Sequence, residues 1–281
     1  MTTLSPLTVL SRDETDRVLA YLLREPIESV FLRGLIMRTG LALGRRYGCF
    51  LAHRSPNGDL GGILLMSTLV VPFVTDPAAI ATFAEALRES PYPIRNIVGR
   101  RDTVTSLWEA MRPWRREPRL IRHAQPVYVV DRSTLRYLPA PRLRMASLGD
   151  LDLLVKAGAA MMIEEVEEDP LAQRPELYRS FVRDRILRGD EFLWVDEQGL
   201  CFKCNVSSRT PEAAQIEGVF TPRDRRRHGF AARGLSEVCC RLLREIPRLC
   251  LYVNDFNRPA IGLYERLGFY PTSEYQSIFF E

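Results

Sequence analysis

Residues Ile216 to Ala231 read Ile-Glu-Gly-Val-Phe-Thr-Pro-Arg-Asp-Arg-Arg-Arg-His-Gly-Phe-Ala. The start of this stretch predicts a strand ending at Thr221, followed by a basic loop and then a helix opened by small residues. A helix N-terminus carries unpaired N–H groups and a partial positive charge, so it suits a phosphate. Gly229 lets an anion approach the backbone, Ala231 keeps the first turn open, and Arg223, Arg225, Arg226 and Arg227 add charge. Phe230, Leu235, Val238 and Leu242 recur at helical spacing and predict a buried stripe behind the loop. The same residue types also fit a plainer reading, an exposed basic turn ahead of a core helix.

A second stretch, Asn254 to Phe269, has its own start and stop signals. Asn257 suits a cap, Pro259 a first turn, and Gly268 the left-handed position past a helix end. Together the two stretches resemble the GNAT superfamily of acyl-CoA-dependent N-acetyltransferases. The family's cofactor motif is Arg or Gln, two residues, Gly, one residue, then Gly or Ala, and Arg226, Gly229 and Ala231 match it. A later family segment, an Asn and then Leu-Tyr-Glu-x-Leu-Gly-Phe, matches at Asn257 and at Leu263 through Phe269.

The resemblance implies acetyl-CoA as co-substrate, with the backbone of Val219, Phe220 and Thr221 pairing its pantetheine arm. It implies pyrophosphate contacts from the amides of Arg226, Arg227, His228, Gly229, Phe230 and Ala231, and a contact from Asn257 to the cofactor or to the neighbouring strand. Tyr264 would be the general acid for the departing thiolate; a tyrosine at helical spacing also reads as core packing. Glu217, on the strand entering the loop, is a candidate general base, and equally a surface strand carboxylate.

Other constellations say less. The acidic run Glu164-Glu165-Val166-Glu167-Glu168-Asp169 falls between two predicted helices, where it would border an acceptor site and draw a cationic amine, or be a solvated helix end. Cys201 and Cys204, three apart on a predicted strand, point to opposite faces, and no second pair has metal-site spacing, so no metal is expected. His53, His123 and His228 are scattered, and His228 is expected to act through its amide. The loop has neither a Walker lysine nor a Gly-x-Gly-x-x-Gly run, which disfavours a nucleotide-binding protein.

The elements that must position these residues occur twice. Residues 1–135 predict two helices, three strands (Gly48–His53, Gly61–Met66, Leu69–Val74), a helix, a strand, a helix near Thr103–Met111 and a strand at Val127–Val130. A linker is read at Asp131–Pro141, where Pro139 and Pro141 interrupt both patterns. Residues 142–281 repeat the order. The fold class predicted is α/β: two GNAT-like domains, each a mixed, mostly antiparallel sheet flanked by helices. The first copy, 1–135, reads as degenerate. Its strand Leu69–Val74 leads through Thr75-Asp76-Pro77-Ala78 into a helix with no glycine and no arginine cluster, and Asp76 would repel a pyrophosphate.

Composition bounds the remainder. The chain has 281 residues, 46% hydrophobic and 26% charged, which excludes a disordered chain or a disulfide-stapled miniprotein and suggests two domains. Of 39 basic residues only Lys156 and Lys203 are lysines. Residues 1–140 hold 19 basic and 13 acidic groups, a net of +6, and residues 141–281 hold 20 and 22, a net of −2. So mild a balance calls for neither nucleic acid nor a membrane surface. The Leu60–Val74 run is too short, and too interrupted by Pro72, to span a bilayer. The chain start lacks signal-peptide order, so a cytoplasmic protein with reduced cysteines is expected. The activity expected is transfer of an acetyl group from acetyl-CoA to a primary amine of a small molecule or peptide by direct attack. The competing class is a non-catalytic acyl-CoA sensor or scaffold.

Overall fold

The computed structural model describes residues 6–44 and 47–281. Strand β1 (Leu7–Val9) and helices α1 (Thr15–Leu22) and α2 (Val30–Thr39) precede a meander of β2 (Cys49–Arg54), β3 (Leu60–Met66) and β4 (Leu69–Val74). Helix α3 (Ala78–Arg88), strand β5 (Asn96–Arg100), helix α4 (Arg101–Met111) and strand β6 (Leu120–Asp131) complete the first pass. The second pass begins with β7 (Arg144–Met145), α5 (Leu151–Val166), α6 (Pro170–Gln173) and α7 (Pro175–Leu187). It continues through β8 (Glu191–Asp196), β9 (Gly199–Arg209), β10 (Ala214–Phe220), α8 (Phe230–Leu242), β11 (Arg248–Tyr252), α9 (Arg258–Arg266) and β12 (Tyr270–Phe279). The order predicted from sequence therefore recurs in both passes. Two short elements, β1 and α6, were not expected, because neither is long enough to show a hydrophobic period.

Two compact units divide the chain, and neither is contiguous in sequence. The first runs to Val127 and also takes Tyr252–Asn257 and Pro271–Glu281; the second holds Tyr128–Leu251 and Arg258–Tyr270. A linear cut after residue 135 and before 142 does not reproduce this division. The end of β12 packs with the first unit, where Tyr275–Phe279 run antiparallel to Arg100–Asn96 of β5. The physical reason is the open edge of β5: unpaired backbone groups accept any strand that reaches them in register.

Within the first unit, β1 to β4 pair antiparallel in sequence order, and β4 pairs parallel with β5 at Leu69↔Asn96 and Val70↔Ile97. Strand β3 is buried along its whole length. Its alternate residues serve two cores: Ile63 and Leu65 join Val18, Leu22, Leu32 and Ile36 of α1 and α2, whereas Leu64 and Met66 join Phe83, Leu87, Val104 and Leu107 of α3 and α4.

The second unit repeats this plan. Strands β7, β8, β9 and β10 pair antiparallel, and β10 pairs parallel with β11 at Ala214↔Leu249 and Gln215↔Cys250. Leu154, Val155, Val182 and Ile186 of α5 and α7 pack on Leu193, Leu200 and Phe220. On the opposite face Gly234 brings α8 onto the ring of Phe202, whose Cγ lies 2.6 Å from where a Cβ at 234 would be. The predicted linker is not a free tether. Leu138 donates its amide to Ser236 Oγ (2.6 Å), Tyr137 donates its hydroxyl to Glu237 (2.6 Å), and Arg233 reaches the Pro139 carbonyl (2.9 Å), so the segment straps along α8.

Candidate active site

Strand β10 forms the floor of the site. Its parallel pairing with β11 spans Ala214 and Gln215, and β10 then runs on to Phe220 beyond that pairing. The strand edge exposed there is open to an extended ligand. Opposite β9 the register shifts from Glu217↔Asn205 to Phe220↔Lys203, which inserts one extra residue at Gly218, where φ is +61°. The result is a bulge, which bends β10 just ahead of the loop.

The loop itself is built by two left-handed residues. Arg227 (φ +67°) and Gly229 (φ +78°) turn the chain from the short 3-10 turn Arg223–Arg225 into α8. A Cβ placed on Gly229 meets nothing within 4 Å, so the helix start faces open space. His228 has a role that the sequence did not show: its Nδ1–H donates to the Arg226 carbonyl at 2.8 Å, which braces the turn. Thr221 is buried, and its hydroxyl has no hydrogen-bond partner among the described residues. A buried polar atom without a partner at the end of an open strand, and an empty approach to a helix N-terminus, fit a bound pantetheine–pyrophosphate chain.

The arginine cluster is used differently from the expectation. Arg225 is buried, pairs with Asp196 and Gln198, contacts Cys201 Sγ at 3.1 Å and stacks 5.0 Å from the Phe230 ring centroid. It anchors the loop to the β8–β9 turn and is not turned out as free charge. Arg223 and Arg226 both bind Glu164 (3.0 and 2.7 Å), and Arg226 also donates to the Thr221 carbonyl (3.0 Å). Burial would raise the Glu164 carboxyl, but the hydrogen bonds and charges of Arg226 and Arg223 together outweigh it and leave the group lowered from its ordinary value. Arg227 is exposed and makes no ion pair among the described residues. The acidic run is likewise not a loop between helices. Glu164, Glu165 and Val166 finish α5, Glu167 is left-handed (φ +58°), and Asp169 caps α6 through the Leu171 amide (2.9 Å). The run therefore closes a helix, as the helix-end reading expected.

A cavity of about 430 Å³ flanks the loop, lined by Arg142, Asp196, Gln198, Asp224, His228 and Phe230 among others. Asp196 and Asp224 put carboxylates on its wall.

Tyr264 lies on α9, 7% exposed, with its ring 6.2 Å from Tyr128 and 5.8 Å from Phe269. Burial pushes its hydroxyl far above the ordinary tyrosine value, and Glu165 adds to the shift, so it keeps its proton. The helix end is fixed by Gly268 (φ +91°), where a Cβ would collide with the Thr134 carbonyl. The Arg136 amide donates to the Leu267 carbonyl beside it (2.9 Å). Glu217 is half-buried and accepts a hydrogen bond from Gln215 Nε2 (2.7 Å). Val219, Phe220, Thr221, the loop from Arg226 to Ala231, Glu217 and Tyr264 thus share the second unit, whereas Asn257 falls in the 252–257 segment of the first.

Cys201 contacts Arg225, and Cys204 is fully buried, its thiol pushed up by desolvation. No group of three metal-ligating side chains occurs among the described residues.

In the first unit the equivalent helix start is already filled. Asp76 Oδ1 accepts the Ala78 amide (3.0 Å), and Pro77 has no N–H to offer.

A strand that outruns its parallel partner and delivers the chain to an open helix N-terminus can hold an extended ligand that ends in an anion. Residues 160–269 match the Acetyltransferase (GNAT) family. Residues 48–154 match a domain of unknown function, DUF4081. No curated protein matches the sequence. Among solved structures, a tandem GNAT protein from the clavulanic acid biosynthesis pathway is 16% identical, with 96% of this chain and 97% of that one covered and a TM-score of 0.57. A GCN5-related N-acetyltransferase from Sphaerobacter thermophilus is 15% identical, with 97% and 94% covered and a TM-score of 0.61. A GNAT-family acetyltransferase from Colwellia psychrerythraea is 12% identical, with 98% and 99% covered and a TM-score of 0.59. At identities this low the likeness is one of fold, over nearly the whole chain.

Proposed function

We propose that the second unit moves an acetyl group from acetyl-CoA to a primary amine of a small molecule or peptide by direct attack. The observation that carries this reading is the open start of α8 at Gly229, placed at the end of the unpaired edge of β10. Backbone groups of Val219, Phe220 and Thr221 hold the pantetheine arm as an added strand. The amides of Arg226, Arg227, His228, Gly229, Phe230 and Ala231 hold the pyrophosphate, assisted by the helix dipole.

Bound acetyl-CoA supplies the thioester; the protein supplies position and protons. The amine nitrogen forms its bond to the carbonyl carbon as the carbon–sulfur bond breaks. Tyr264 gives its hydroxyl proton to the departing sulfur and regains, by way of solvent, the second proton that the nitrogen sheds as it becomes an amide. A hydroxyl kept protonated by burial fits that role. Glu217, oriented by Gln215, takes the proton that the attacking ammonium must lose. Much of the acceleration then comes from holding amine and thioester together.

One observation favours the second reading, binding without turnover: the Tyr264 ring is packed between Tyr128 and Phe269 as a core residue would be. Release of free thiol from acetyl-CoA, measured against a panel of small amines, polyamines and peptides, separates the two. Amine-dependent release supports transfer. Calorimetric binding of acetyl-CoA with no release from any amine supports a sensor, and no binding refutes both.

A further inference from the structure

Lys203 is one of only two lysines in the chain, and it is 1% exposed in the middle of β9. A buried ammonium costs several kcal/mol unless it is well compensated, so stability alone does not account for it. It belongs to a polar group between the sheet and α7: Asn205 on the same face of β9, Glu191 opposite Asn205 on β8, and Arg185, whose Nε is 2.7 Å from the Glu191 carboxylate. Burial lowers the Lys203 amine from the usual lysine value, while Glu191 pulls the other way.

The heads of Lys203 and Asn205 converge on Gly218. A Cβ at 218 would lie 3.2 Å from Lys203 Nζ and would collide with Asn205 Oδ1. Asn205 Nδ2 is buried with no hydrogen-bond partner among the described residues. Gly218 is the extra residue of the β10 bulge, and a bulge leaves backbone groups without ladder partners. An amine and an amide supply hydrogen-bonding groups at that place.

We propose that Lys203 and Asn205 are positioning residues for the acyl transfer, holding the bulge at Gly218 from the α7 side and so setting which backbone groups of Val219, Phe220 and Thr221 face the open edge of β10. The reason is the period of a strand. Successive residues direct their N–H groups to opposite neighbours, so loss of one extra residue exchanges those facing β9 with those facing the cleft. An apolar residue at 203 would satisfy the core and leave the bulge unsupported.

This inference rests on the function proposed above, and the experiment separates the two. Lys203→Met removes the amine and keeps an unbranched, buried chain. The expected result is a thermal midpoint equal to or above that of the wild type, with acetyl-CoA Kd raised at least 10-fold by calorimetry and kcat lowered by a similar factor. A merely structural lysine would instead lower the midpoint and leave Kd unchanged in the folded fraction. Asn205→Ala is the second variant, should Lys203→Met not fold, and its Kd is expected to rise in the same direction. Wild-type protein that binds acetyl-CoA together with folded variants that bind equally well overturns the positioning role alone. Wild-type protein that does not bind acetyl-CoA overturns the functional reading on which it rests.

Discussion

Tyr264 and Glu217 meet the requirements of their proposed roles in opposite ways. The tyrosine is buried among aromatic rings, where the charged phenolate is disfavoured, so it can only give a proton and then recover it. The glutamate stays half-exposed, in reach of solvent and held by one amide hydrogen bond. Tyr264→Phe preserves the ring contacts and deletes the donor. Turnover is expected to fall by about 10²–10⁴ while acetyl-CoA affinity stays nearly constant, as steady-state rates beside calorimetry would show. Near-normal turnover would assign protonation of the thiolate to water.

Two elements set the site, and each has a weak point that can be tested. Helix α8 offers its N-terminus because Gly229 adopts a left-handed turn and carries no side chain. In Gly229→Asp, a carboxylate would stand where the phosphate belongs, on a backbone conformation that aspartate adopts only with strain. Acetyl-CoA affinity is expected to fall by at least about 100-fold, which is about 2.7 kcal/mol, with the circular dichroism of the fold retained. The 3-10 turn Leu148–Asp150 that leads into α5, the helix of Glu164, begins at a capping box in which the Asp150 carboxylate accepts from the Ser147 amide (2.8 Å) and from both terminal nitrogens of Arg144 (2.7 Å each). The Arg144 bond is the largest cause of a strongly lowered Asp150 pKa. Because the folded value lies below the unfolded value of about 3.9, this group adds stability above that pH and loses it as pH falls further. Asp150→Asn is therefore expected to cost about 1–2 kcal/mol at pH 7, less where the half-exposed Arg144 is screened by solvent. The gap from wild type in urea midpoint should shrink towards pH 3.

At the scale of the whole molecule, the two units have the same element order and unequal capacity for an anion. In the second, the N-terminus of α8 is open; in the first, Asp76 takes up the Ala78 amide and Pro77 removes a donor. Titration of the intact chain with acetyl-CoA is expected to give a stoichiometry of one, and a value of two would require a second cradle in the first unit. No helix among the described residues is long and apolar enough to cross a membrane.

Local signals in the sequence determined much of this protein. Strand Leu69–Val74, strand Glu191–Asp196 and the start of α9 at Arg258 fall where hydrophobic alternation, proline and caps predict them, because such signals act within a few residues. The strand–loop–helix unit from Ile216 to Ala231 was readable for the same reason: strand, glycine and helix start are adjacent in the chain. Partner choice was not readable. The arginines at 223, 225 and 226 look alike in sequence, and only the folded chain sends two to Glu164 and one to Asp196. The burial of Lys203 against Gly218 depends on a register shift that no local pattern marks. The assignment of β12 to the first unit depends on backbone hydrogen bonds to β5, which are made by groups common to every residue. Short-range patterns therefore fixed the elements and their order, and tertiary structure alone decided which charges meet, which strand edge is filled, and which is left open for a ligand.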